Sequence, residues 1–124
     1  MEGRRGRGTT GSWIQLLILR VLYEKPLHGY SLKEKVNELL SGRRPLKSGS
    51  IYTILRRMEK NGYLSSDWDR ESSRLDRRVY ELTKKGLKRL QHGRNMVNAQ
   101  KNVIDEMIRF YQKHFPESES NDEA

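Results

Sequence analysis

Between residues 47 and 60 the chain sets cations and small polar groups at helical spacing, a pattern suited to holding phosphate and approaching base edges. With Ile51 placed at 0° and ~100° added per residue, Ile51, Ile54, Leu55 and Met58 share one helix face. Gly49, Thr53, Arg56 and Lys60 fall on the opposite face, and Tyr52 sits on the flank beside Arg56. A helix that reads DNA needs this division: small residues let the backbone come close to base edges, and cations meet the phosphates. Gly49, Ser50 and Thr53 are accordingly assigned to base edges in the major groove. Lys47, Ser48, Tyr52, Arg56 and Lys60 are assigned to phosphates. The competing reading of this stretch is an ordinary surface helix with solvated Arg and Lys. Bond-making chemistry has no comparable signature. His28, His92 and His114 are far apart, and no nucleophile–base pair, phosphate-binding loop or metal-ligand spacing appears. No catalytic, cofactor-binding or metal-binding residue is therefore expected, and no cofactor.

The charge balance points the same way. The net charge is +9, and Glu117, Glu119, Asp122 and Glu123 lie in a cation-free stretch at 116–124. Residues 1–115 thus carry 25 basic against 12 acidic side chains, a net of +13 that calls for a polyanionic partner, most commonly nucleic acid. With 34% hydrophobic and 33% charged residues, 124 residues make one domain of modest core that shares apolar surface with a partner. Cysteine is absent, which excludes disulfides and thiolate metal sites. No run approaches ~18 apolar residues, so no membrane span is expected. Arg4, Arg5 and Arg7 precede no long apolar run, so a secretory signal is not expected either, and the default location is cytoplasmic.

The elements that must position these residues follow in order. Residues 1–11 read as a flexible basic arm whose Arg5-Gly6-Arg7 is of the kind some DNA-binding domains lay in a minor groove. Ser12 caps a first helix to about Tyr23 that is apolar nearly all round and so must be covered on more than one side. Lys25-Pro26-Leu27-His28-Gly29 reads as a turn. A second helix spans about Tyr30 to Leu40, with Tyr30, Leu32, Val36, Leu39 and Leu40 inward. After Arg43-Arg44-Pro45-Leu46-Lys47, the helix opened by Ser48 runs to a stop at Asn61-Gly62. The period then changes to two. Tyr63, Leu64, Ser66 and Trp68 begin a strand, residues 70–76 form a polar tip, and residues 77–82 return. A hairpin directly after a DNA-reading helix is a wing, which would place Arg74, Arg77 and Arg78 near a backbone or minor groove.

Thr83 caps a last helix from Lys84 to about His114. Leu87, Leu90, Val97, Ile104, Ile108, Tyr111 and Phe115 form a coiled-coil-like seam interrupted by Arg94 and Lys101. Met96, Ala99, Val103, Met107 and Phe110 form a second apolar face. A helix with two such faces wants two neighbours, so it is read as a dimerisation helix packing on a partner's copy and on the first helix. Trp13, Leu17, Leu90, Val97, Ile104, Met107, Ile108 and Tyr111 are assigned to that dimer interface. Gly86 and Gly93 each weaken the helix by ~1 kcal/mol, Gly93 marking a place to kink. His28 and Tyr80 are read as structural, Gly29 as a point of close packing or unusual backbone. Residues 116–124 read as a disordered acidic tail.

Four linked motifs in this order resemble the PadR family of winged helix-turn-helix transcriptional regulators. They are Leu27-His28-Gly29-Tyr30, the opening Ser48-Gly49-Ser50-Ile51-Tyr52 followed by Leu55-Arg56-Arg57-Met58-Glu59, Asn61-Gly62-Tyr63-Leu64, and Arg78-Val79-Tyr80-Glu81-Leu82-Thr83-Lys84-Lys85-Gly86. The match runs from about Ile14 to Leu90. It departs at Thr53, where the family often has proline, leaving a hydroxyl available to DNA. The expected fold is mainly α with a small β-hairpin: a basic arm at 1–11, a winged helix-turn-helix domain at 12–83, a dimerisation helix at 84–115 and a tail at 116–124. The resemblance implies a homodimeric repressor, each protomer placing its third helix and wing on half of a near-palindromic double-stranded DNA operator. It also carries an alternative, a regulator sensing a small planar aromatic effector between protomers, with Trp13, Met107, Phe110 and Tyr111 lining the space. A non-sequence-specific architectural nucleic-acid-binding protein is a further alternative.

Overall fold

The computed structural model describes residues 4–40, 45, 48–69 and 78–117, and for 4–12 and 48 the backbone alone. Four helices and three strands occur among them: α1 (Arg4–Glu24), β1 (Leu27–His28), α2 (Gly29–Leu40), α3 (Ser48–Lys60), β2 (Leu64–Trp68), β3 (Arg78–Leu82) and α4 (Lys84–His114). They form two compact units, residues up to Gln91 and residues from His92, with α4 contributing to both.

Apolar periodicity accounts for the first unit's core. Ile14, Ile18, Leu19, Val21 and Leu22 of α1, Leu32, Val36 and Leu40 of α2, and Ile51, Leu55 and Met58 of α3 are buried, with Leu64 and Tyr80 from the sheet. The breadth of the buried set on α1 is what its all-round apolar sequence required. Removing the side chain of a residue such as Leu55 costs ~2–5 kcal/mol in a packed interior. Helix α1 begins at Arg4, so the expected start at Ser12 and the expected loose arm at 4–11 are corrected. Once residues 13–24 are anchored in the core, extending the helix needs only propagation, without a new nucleus.

Two further expectations give way to packing. Leu27 and His28 pair with Tyr80 and Val79 of β3, so the segment read as a turn supplies an edge strand and the sheet has the order β1-β3-β2. A two-residue bridge has no period of its own; a partner fifty residues away makes it a strand. On α2, Tyr30 and Leu39 are exposed and Gly29 is buried. Gly29 holds the inward first-turn position because the Tyr52 ring lies there, where an added Cβ would come 2.6 Å from Tyr52 Cε1. Tyr30 is thereby turned outward beneath the Lys33 ammonium, 4.9 Å from its ring centre.

The stop of α3 and the start of α4 form one joint. Gly62 has φ +85°. Its N–H donates to the Glu59 carbonyl at 3.0 Å and the Tyr63 N–H donates to Met58 at 2.9 Å, which closes the helix in a Schellman motif. Thr83 Oγ1 donates to the Gly62 carbonyl at 2.7 Å and accepts from the Gly86 N–H at 3.0 Å, capping α4 as expected. Lys85 Nζ donates to the Asn61 carbonyl at 2.9 Å. Gly86 is needed here: a Cβ on it would collide with the Tyr63 carbonyl oxygen and sit 2.9 Å from Leu82 Cδ1. Gly86→Ala should therefore lower the denaturant midpoint, losing about 1–3 kcal/mol to overpacking where alanine in a free helix would gain ~1 kcal/mol. A raised midpoint in equilibrium unfolding would show that the joint has slack.

In the second unit, α4 continues unbroken across Gly93 to His114. Val97, Ile104, Met107, Ile108 and Tyr111 on it are between 41% and 55% exposed, and Val103, Phe110 and Phe115 are exposed as well. Lys101–Asp105 and Arg109–Glu106 pairs, each at 2.8 Å, lie on the surface and add at most a few tenths of a kcal/mol. Among the described residues no helix is long and apolar enough to cross a membrane.

Candidate nucleic-acid interface

The two faces of α3 separate cleanly. Ile51, Leu55 and Met58 are fully buried, while Gly49, Ser50, Tyr52, Thr53, Arg56 and Lys60 are exposed. Among the described residues Gly49 has no neighbour from outside its own helix backbone and adjoining residues within 4 Å of where a Cβ would stand. Among the described residues nothing requires glycine there, and the backbone of α3 is left open at this position. Thr53 Oγ1 donates to the Gly49 carbonyl at 3.0 Å. The hydroxyl expected to be available thus has its proton committed to the helix. What it presents outward is an acceptor oxygen and a methyl group, suited to a base amino group or a thymine methyl. Arg57, absent from the residues assigned on spacing, is exposed on the Ser50 flank and adds a cation there; its place one flank away from Arg56 is legible in the same helical spacing.

Tyr52 and Glu59 occupy the flank turned toward the sheet. The Tyr52 ring packs on Gly29, so the start of α2 supports it in addition to any phosphate role. Tyr80 is buried, as expected. Burial holds its phenol above the ordinary 10.0, with the nearby Glu59 carboxylate adding to the rise and Arg78 opposing it. His28, read as structural, bonds within the fold: its Nε2 lies 2.7 Å from Asp69 Oδ2, a hydrogen bond between β1 and the last described residue before the wing tip.

The β2–β3 hairpin pairs Leu64 with Leu82 through Trp68 with Arg78. Arg78 is half-buried: its Nη1 donates to Ser66 Oγ at 2.7 Å and its guanidinium lies 4.4 Å from the Trp68 ring centre. Trp68 is exposed and joins the site without having been assigned to it on spacing, although an aromatic at a wing's rim is a visible signal. Lys47, Arg74 and Arg77, and the Ser48 side chain, lie outside what the structure describes, as do residues 1–3 of the arm and 118–124 of the tail.

Of the residues assigned to a dimer interface, Leu17 and Leu90 are partly buried against the first unit's own core and Trp13 is half-buried. The other five are the exposed set on the second unit. A groove between α1 and α2, lined by Arg20, Val21, Glu24, Lys35, Glu38 and Leu39, has a volume of about 130 Å³. That is below the ~300 Å³ of small-molecule sites, and none of Trp13, Met107, Phe110 or Tyr111 lines it.

Three helices, a supporting strand and a hairpin placed directly after an exposed, cationic third helix define a winged helix-turn-helix protein. Residues 18–92 match the PadR-like family of transcriptional regulators, and the chain belongs to that family. Its members are transcriptional regulators, not enzymes. Protein TA0346 of Thermoplasma acidophilum has a similar structure, with 29% identity, a TM-score of 0.72, and 81% of this chain matched to 94% of that one. A PadR family transcription regulator from Clostridium difficile R20291 is also 29% identical, with a TM-score of 0.65 over 77% of this chain and 98% of its own. Bacillus subtilis PadR, solved in complex with operator DNA, shares the fold at 24% identity and a TM-score of 0.56, over 63% of this chain and 44% of that chain. Among curated proteins no match is found.

Proposed function

We propose that the chain is a homodimeric repressor that binds a near-palindromic operator, with α3 in the major groove and the wing on the adjacent groove or its backbone. The observation that carries this reading is the solvent face of α3. Open backbone at Gly49 is followed by the Thr53 acceptor and then by Arg56 and Lys60, all on a helix whose opposite face is sealed in the core. Gly49, Ser50 and Thr53 take the base edges. Lys47, Ser48, Tyr52, Arg56 and Lys60 take phosphates, and Arg74 and Arg77 reach from the wing. The complex of Bacillus subtilis PadR with operator DNA supports the same use of the shared fold.

Selection of duplexes from a random pool tests it, because a two-fold dimer should enrich paired half-sites about one helical turn, or a multiple of it, apart. On the selected duplex, Arg56→Ala should weaken binding about equally for all sequences and flatten the salt dependence by about one phosphate. Thr53→Val keeps the shape and removes the acceptor, so it should relax the preference at one base position by about 1–3 kcal/mol while leaving the salt slope alone. Equal enrichment of random duplex and RNA would make the chain an architectural nucleic-acid binder instead.

A further inference from the structure

Arg78 has the sequence position of a wing cation, but its surroundings give it other work. In the β2–β3 register, Trp68 stands directly opposite Arg78 and Ser66 opposite Tyr80. These four side chains therefore share one face of the hairpin, and the burial of Tyr80 beside Glu59 identifies it as the face turned to α3. Along this face the guanidinium donates to Ser66 Oγ at 2.7 Å, and the Ser66 hydroxyl donates in turn to Glu59 Oε2 at 2.8 Å. The hydroxyl is thereby held between a cation and an anion, its one proton directed at Glu59. The other side of the chain of contacts is the guanidinium plane on Trp68, 4.4 Å from the ring centre, which fixes the Arg78 side chain from above. A charge-assisted line thus runs from β3 through β2 to α3.

We propose that Arg78 is a positioning residue: the Arg78–Ser66–Glu59 relay, clamped by Trp68, sets the reach of the wing relative to the DNA-reading helix. This rests on the reading above that α3 and the wing meet DNA together. Arginine is required because its planar fork can lie flat on the Trp68 ring while an edge N–H donates to Ser66; a lysine ammonium donates too, but it has no plane that meets both partners at once. Glu59 is retained on a helix that faces phosphate because it anchors the hairpin, at the expense of some repulsion.

The test uses the full chain and a duplex selected by the wild type, with affinity read across a salt series and hydroxyl-radical footprints read on the DNA. Ser66→Ala changes no charge, and it should lower affinity roughly three- to ten-fold, the worth of one relay hydrogen bond. Its footprint should fade under the wing and persist under α3. Glu59→Ala removes an anion, so electrostatics alone would tighten binding; the relay requires it to weaken. The Ser66→Ala and Glu59→Ala losses should not add. Arg78→Lys should weaken binding as much as Arg78→Ala, both keeping the wild-type salt slope, whereas a phosphate contact would be rescued by lysine and lose one unit of slope in alanine. Wild-type binding with unchanged Ser66→Ala affinity, tighter Glu59→Ala binding or lysine rescue overturns the relay alone. A wild type that selects no duplex overturns the underlying reading and the relay with it.

Discussion

Gly49→Leu is expected to make the fold more stable and to destroy operator binding. The two effects have separate physical causes. Gly49 lies in the first turn of α3, its φ is not in the left-handed region, and among the described residues nothing beyond its chain neighbours and its own helix backbone stands within 4 Å of its missing Cβ. Glycine in a helix costs up to ~1 kcal/mol relative to a good helix former, so leucine should raise the unfolding free energy by several tenths to about 1 kcal/mol. On the DNA side, the same branched side chain would stand between the α3 backbone and the base edges. Displacing the helix from the groove also strips the Thr53 acceptor and Arg56 of their contacts. We expect a loss of at least ~100-fold, about 3 kcal/mol, comparable to losing two base contacts together. Thermal or denaturant unfolding and a binding titration on the same preparation decide it. Unimpaired binding by a stabilised variant would move the DNA-reading surface off this turn of α3.

The second large effect concerns the exposed stripe on α4. Ile104 and Ile108 are 55% and 48% exposed and neighbour Met107 and Tyr111, so apolar side chains cover this side of the helix through its last three turns. A protein surface in contact with water rarely leaves a continuous apolar face of this length bare. Ile104→Glu with Ile108→Glu should give a single chain in sedimentation, because two buried carboxylates cannot be accommodated in a paired seam without ionic partners. The first unit, whose core contains none of these residues, should keep its fold. Binding to a paired operator should fall by ~10²–10⁴-fold, since the second half-site would no longer be filled at an effective concentration set by linkage. Binding to an isolated half-site should hardly change. A double variant that still sediments as a dimer would move the interface elsewhere.

Much of this molecule is written locally. The amphipathic division of α3, its glycine stop, the threonine cap of α4 and the change to a two-residue period after Gly62 each follow from neighbouring residues, because helix capping, left-handed φ and hydrophobic spacing act over a few positions. The buried and exposed sides of α3 are therefore legible in its amino-acid order alone, as is the excess of apolar surface on the long final helix over what its own domain can use. Other features depend on residues distant in the chain. The partnership of Leu27 and His28 with β3, the outward turn of Tyr30 to make room for the Tyr52 ring on Gly29, and the need for glycine at 86 beneath the Tyr63 carbonyl arise only when separate elements close on one another. The same holds for Arg78. Its charge is visible in the sequence, but whether that charge faces solvent or is occupied by Ser66 and Trp68 is set by strand register, which no local spacing encodes.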